Sequence, residues 1–254
     1  MKPRTRLFLA WIFSASLASA SWQIGEIRTL GSLGSGAEVR EARLSDDGQT
    51  ARLTAVFFQE KSFALRVVDS PAPGGTKLAR VLADAGCVAG VNGGYFQEDF
   101  RPVGLMVADG AIIHPFEKAK LLSGLLVVRD GRIAIVRSDA FKPGRDLRQA
   151  IQCGPLLVEE GTPVAGLNAE RSARRTIVAT AGRGRWALIH LTSVTLADSA
   201  RIVAMPGLFG DWTTRTALNL DGGSSSGLWA AATPLPVSLA EFGTVRNYLG
   251  IEPR

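Results

Sequence analysis

The chain has very few of the residues that build metal centres or covalent frameworks: 2 cysteines and 2 histidines in 254 positions, with no Cys-x-x-Cys pair and no His-rich spacing. That argues against a zinc-type ligand set and a small disulfide-stapled scaffold. Also missing are a Gly-rich nucleotide-binding loop, an internal repeat, a heptad pattern and a low-complexity tract. Nucleotide-driven chemistry, a solenoid and a coiled coil lose their support with them. The apolar run from Leu7 to Leu17 falls short of the roughly 20 residues that cross a bilayer as a helix. Clustered charge is lacking too. The arginines are scattered, and of the formal net charge of +6 three units sit on Lys2, Arg4 and Arg6, with no acid among residues 1–20, leaving +3 on the rest. A nucleic-acid partner is therefore not expected.

What is present is ordinary globular material. With 46% hydrophobic and 20% charged residues, the chain can close one substantial core. Its first residues form a secretory signal: a basic start, the apolar run, then Ala18-Ser19-Ala20 as a small-residue cleavage site. The expected organisation is a signal peptide at 1–20, a flexible lead-in at 21–38 containing the Gly and Ser cluster of Gly31 to Gly36, and one domain at 39–254. The protein would be exported, periplasmic or secreted, with no membrane span after cleavage. In an oxidising compartment Cys87 and Cys153 would be either a disulfide or two buried thiols.

Periodicity predicts a helix over Thr76 to Gly86, with Leu78, Val81, Leu82 and Ala85 on one face. Asp109-Gly110 and Asp130-Gly131 between apolar runs are hairpin signals, and Gly182-Arg183-Gly184 marks a third hairpin. Thr195 to Asp198 has the form of a capping box, opening a helix that ends near Pro206-Gly207. The sum is an α+β single domain, largely antiparallel sheet with a few covering helices.

Two segments share a design in which an apolar run ends in a polar side chain followed by a glycine pair: Val88-Ala89-Gly90-Val91-Asn92-Gly93-Gly94-Tyr95-Phe96 and Ala217-Leu218-Asn219-Leu220-Asp221-Gly222-Gly223-Ser224-Ser225. Such a strand fixes the polar group, and the glycines let a ligand approach the main chain. Either segment alone could be a tight turn. In order with Gly154-Pro155, Arg175-Thr176 and Val245-Arg246-Asn247-Tyr248-Leu249-Gly250-Ile251, they resemble the phosphodiester glycosidase family over roughly Val39 to Ile251. The chain departs from the family pattern at Ser224, where members often carry a third glycine, and at Arg174, where they often carry proline.

The resemblance implies hydrolysis between a sugar's anomeric carbon and a phosphodiester oxygen. Asp221 would act at the anomeric centre as nucleophile, base or stabiliser, Arg175 would bind phosphate, and Asn92 would hold a sugar hydroxyl or phosphate oxygen. Asp99, ranked before Glu98, is the candidate second carboxylate. Gly93, Gly94, Tyr95, Thr176, Gly222, Gly223, Ser224, Ser225 and Asn247 are the expected substrate-binding residues, with main-chain amides at both glycine pairs forming an anion-binding concavity. No metal or other cofactor is expected; the alternative is a divalent ion bridging phosphate and Asp221. The partner is a sugar-1-phosphodiester or phosphorylated glycan, and nothing in the sequence sets the oligomeric state. Gly223 to Gly227 also fits G-x-S-x-G with Ser225 as nucleophile, but no histidine follows His190, which argues against a serine hydrolase. His114 and His190 are expected to be packed or solvent-tipped residues rather than general bases. The rival to an enzyme is a non-catalytic envelope module that binds phosphorylated glycans.

Overall fold

A computed structural model describes residues 22–71 and 77–254; the signal peptide expected at 1–20 lies outside the described residues. Alternation of apolar and polar side chains puts strands into three sheets, and every strand pair between them is antiparallel. The 8-stranded sheet runs in the order Gln23–Gly34, Ala37–Asp46, Gln49–Gln59, Arg185–Val194, Ala173–Gly182, Thr216–Asn219, Leu156–Glu159, Thr162–Pro163. One 5-stranded sheet centres on strand Leu147–Cys153, flanked by Met106–Ala108 and Gly124–Arg129; the other contains strand Ala89–Asn92 between Leu228–Ala230 and Asn247–Pro253.

The inner faces of all three sheets meet in one core, with Val56, Val178 and Leu218 from the first, Leu126 and Ile151 from the second and Val91 and Leu249 from the third. Strand periodicity shows in Ala173–Gly182, where Val178 faces this core while Ile177 and Ala179 face the opposite side. There helix Leu196–Val203 packs with Leu208, Phe209 and Trp212. Thr195 caps that helix by accepting from the Asp198 amide at 3.0 Å. A shorter helix, Leu78–Asp84, covers the sheet holding strand Ala89–Asn92 through Leu78 and Leu82. These are the two α-helices among the described residues, so the fold is more sheet-dominated than an α+β domain with several covering helices. Neither is long and apolar enough to cross a membrane.

The expected hairpins form, with Asp109, Gly110, Asp130 and Gly131 all at positive φ. The lead-in expected at 21–38 is corrected: residues 23–34 are a strand paired along Ala37–Asp46, and Gly34, Ser35 and Gly36 make the turn with φ of 74°, 49° and 79°. The glycines serve this turn rather than flexibility. Cys87 and Cys153 are free buried thiols, Cys87 in the cluster beneath helix Leu78–Asp84 and Cys153 in the central core. Burial raises both thiols, to about 11 and about 12.

Candidate active site

Strands Ala89–Asn92, Leu147–Cys153 and Thr216–Asn219, one from each sheet, end at the same place. Just beyond their ends the chain is stitched together. Asn92 donates from Nδ2 to the Asp221 carbonyl at 2.7 Å, and its Oδ1 accepts from Thr176 Oγ1 at 2.6 Å and from the Gly227 amide at 3.1 Å. The Asp221 amide donates to Gly93 O at 3.0 Å, and the Leu220 amide to Thr176 O at 2.8 Å. Asn247 Oδ1 accepts from the Gly94 amide at 2.7 Å, and Asn247 O from the Gly93 amide at 2.8 Å. Asn219 donates to Gly154 O at 3.0 Å and to Leu220 O at 2.7 Å, while Tyr95 Oη donates to Gly154 O at 2.5 Å.

Three expected contacts change role in this light. Asn92, Thr176 and Asn247 are at most 1% exposed, and their side-chain polar groups bond to the protein itself. Those bonds put the three side chains to work positioning the loops. The amides of Gly93 and Gly94 are likewise taken by Asn247, so this glycine pair does not form the expected anion-binding concavity. Its glycines are required by space: a Cβ on Gly93 would lie 2.0 Å from Asn247 Oδ1, and one on Gly94 2.8 Å from Ile151 Cγ2.

Asp221 and Arg175 are placed differently. Asp221 is half-buried, with Oδ1 accepting from the Gly222 amide at 2.8 Å and no ion pair among the described residues. Desolvation raises its carboxyl above the ordinary aspartate value of 3.8, while the Ser225 hydroxyl and the Gly222 amide oppose the shift. Arg175 is buried and also lacks a carboxylate partner among the described residues. Its Nε donates to Val194 O at 3.0 Å and Nη2 to Arg171 O at 2.7 Å, and Nη1 lies 4.0 Å from where a Gly222 Cβ would be. Burial lowers its pKa from the usual arginine value. A buried guanidinium held by carbonyls alone retains an uncompensated charge, which favours an anion. Gly223, at φ 64°, has open space on its Cβ side, and the amides of Gly223 and Ser224 make no hydrogen bond among the described residues.

Asp99, the expected second carboxylate, does not join this cluster. Asp99 lies on an exposed turn, bound to Arg101 through its backbone amide at 3.1 Å and Nε at 2.6 Å; the Arg101 hydrogen bonds lower its pKa. No hydrogen bond joins it to the Asp221 cluster. Ser225 faces Asp221 rather than a histidine. His190 is buried with Nε2 unpartnered, and burial lowers its pKa to about 4. His114 Nδ1 lies 3.0 Å from Gly104 O, away from the cluster. Sequence reasoning passed over Asn219, although it stands two residues before Asp221, and Arg174, whose guanidinium donates to Gly223 O at 3.0 Å and Ser224 O at 3.1 Å. A cavity of about 1100 Å³ lies elsewhere, over the outer face of the sheet of strand Leu147–Cys153, lined by Leu105, Val107, Phe116 and Phe141.

Comparison with known proteins finds a match to the phosphodiester glycosidase family over residues 85–252. The uncharacterized protein YigE of Escherichia coli (strain K12) is 30% identical over 91 residues, covering 33% of this chain and 36% of YigE. Among solved structures, a hypothetical protein from Synechocystis superposes with a TM-score of 0.63 at 15% identity, covering 91% of this chain and 64% of that one. The catalytic domain of zebrafish N-acetylglucosamine-1-phosphodiester alpha-N-acetylglucosaminidase, auto-inhibited by its pro-peptide, gives a TM-score of 0.62 at 18% identity, covering 90% and 88%. At these identities the structural likenesses establish a shared fold.

Proposed function

Because the chain belongs to the phosphodiester glycosidase family, we propose that it is an exported hydrolase cleaving the bond between a sugar's anomeric carbon and a phosphodiester, in an envelope or scavenged glycan. Export rests on the signal-like features of residues 1–20. The observation that carries the reaction is the unpaired, half-buried Asp221 beside the loop against which the unpaired Arg175 Nη1 is set. The phosphate monoester that departs is a good leaving group, so a second carboxylate matters less here than it would with an ordinary glycoside. Asp221 supplies negative charge opposite the oxocarbenium-like anomeric carbon. Arg175, with the free amides of Gly223 and Ser224, receives the charge leaving on phosphate. Asn92, Thr176 and Asn247 hold Asp221 in place from behind.

The test is sugar release from a panel of α- and β-linked sugar-1-phosphodiesters by the protein from Ser21 onward, beside Asp221→Asn. Turnover should fall by about 10²–10⁴-fold in the variant, with ligand affinity largely kept. The anomer released first assigns the role of Asp221, since a nucleophile gives retention and a water-activating base gives inversion. A folded protein that binds phosphorylated glycans but cleaves no member of the panel would instead be the non-catalytic module.

A further inference from the structure

The loop beside Asp221 carries an aromatic side chain that the reaction as described does not use. Phe242 is 80% exposed, yet its position is fixed. Its amide donates to Ser224 O at 2.8 Å, and the amide of Gly243 donates to the same oxygen at 3.2 Å. The Arg174 guanidinium lies over the ring, 3.7 Å from its centroid. That arginine also ties the two loops together, donating to Gly223 O, to Ser224 O and, at 3.0 Å, to Ala240 O. One face of the ring is therefore backed by a cation, and the ring's exposure leaves the other open to solvent. A phenylalanine left in water forgoes the benefit of burial, which a bound partner can recover against a surface already immobilised.

On the phosphodiester glycosidase reading, half-buried Asp221 and buried Arg175 would hold the sugar and its phosphate, and the rest of the diester would extend past Gly223 and Ser224 toward solvent. We propose that Phe242 is the platform for the aglycone, the group esterified to phosphate on the side away from the sugar, and that it selects aglycones presenting a flat apolar face, such as the C–H face of a second sugar ring. This specificity role rests on the phosphodiester glycosidase reading. It assigns a binding function to the residue next to Gly243 that neither Asp221 nor Arg175 provides.

The experiment compares methyl and benzyl diesters of the sugar 1-phosphates in the panel, whose phosphate leaving groups are of similar acidity, with the wild type, Phe242→Ala and Phe242→Trp. Phe242→Ala should raise KM for the benzyl diester about fivefold to tenfold, leave kcat unchanged, and leave both constants for the methyl diester unchanged; Phe242→Trp should restore the benzyl preference. Equal losses with both diesters would mean that Phe242 only props Arg174 and the Asp221 loop, and would overturn the proposal, as would no change with either. If the wild type releases sugar from neither diester, the glycosidase reading fails on its own. The platform is then decided by equilibrium binding of the same two diesters, and equal affinities in wild type and Phe242→Ala would overturn it.

Discussion

At Asp221 burial and hydrogen bonding pull in opposite directions, and burial wins, so the folded carboxyl binds its proton more tightly than the unfolded one. Below the ordinary aspartate value both states are protonated and the group adds no pH dependence. As pH rises through the folded value, the fold comes to carry a desolvated carboxylate and loses that margin of stability. Asp221→Asn should therefore unfold at a higher temperature than the wild type at neutral pH, with the gap narrowing as pH falls to the ordinary aspartate value. Thermal unfolding measured across pH checks this; a variant less stable at neutral pH would mean that the Gly222 and Ser225 hydrogen bonds outweigh desolvation. In the sequence, the order of motifs shared with the phosphodiester glycosidase family was what singled out Asp221 and Arg175; an Asp-Gly-Gly turn or a hairpin arginine alone would not have done so. Residue identity could not tell which way Asn92, Thr176 and Asn247 point, because an amide or hydroxyl serves a backbone and a ligand equally well. Asp99 misled for a related reason: nearness to Tyr95 along the chain placed it on a turn closed by its own neighbour Arg101.

Among the elements, those whose turns demand an unusual backbone were the legible ones. Asp109-Gly110 and Asp130-Gly131 announce their hairpins because both positions need φ above zero. Strand Gln23–Gly34 announces nothing, since most of its side chains are exposed and no alternation marks a buried face. The short strand Ala89–Asn92 is buried at every position, and what it delivers depends on the glycines that follow. Gly93→Ala would push a methyl group to 2.0 Å from Asn247 Oδ1, displacing the acceptor of the Gly94 amide. Overpacking of about 1–3 kcal/mol and an orphaned buried donor of similar cost should add. The expected outcome is a clear drop in the urea midpoint accompanied by loss of turnover. A variant as stable as the wild type would show that Asn247 can move aside freely, contrary to its role as a clamp.

For the molecule as a whole, the first strand matters more than its composition suggests. It is the outer member of the 8-stranded sheet, Ser32 and Thr233 exchange backbone hydrogen bonds at 3.0 and 2.9 Å, and Trp22 joins the apolar cluster that includes helix Leu196–Val203, Phe209 and Trp212. A protein beginning at Ala37 should melt several degrees lower than one beginning at Ser21, because it loses a full strand pairing and a buried indole. Equal melting temperatures would restore the view of this segment as a mere lead-in.

The meeting of three strand ends, one from each sheet, also constrains how such a protein can diversify. Any shift in the backbone beneath Asp221 has to be accommodated by all three sheets at once, so this candidate site is the part of the molecule least free to drift. New substrates have to be acquired at the margin, in turns such as those bearing Ser224 and Phe242, where a side chain can be exchanged without disturbing the pairing of a single strand.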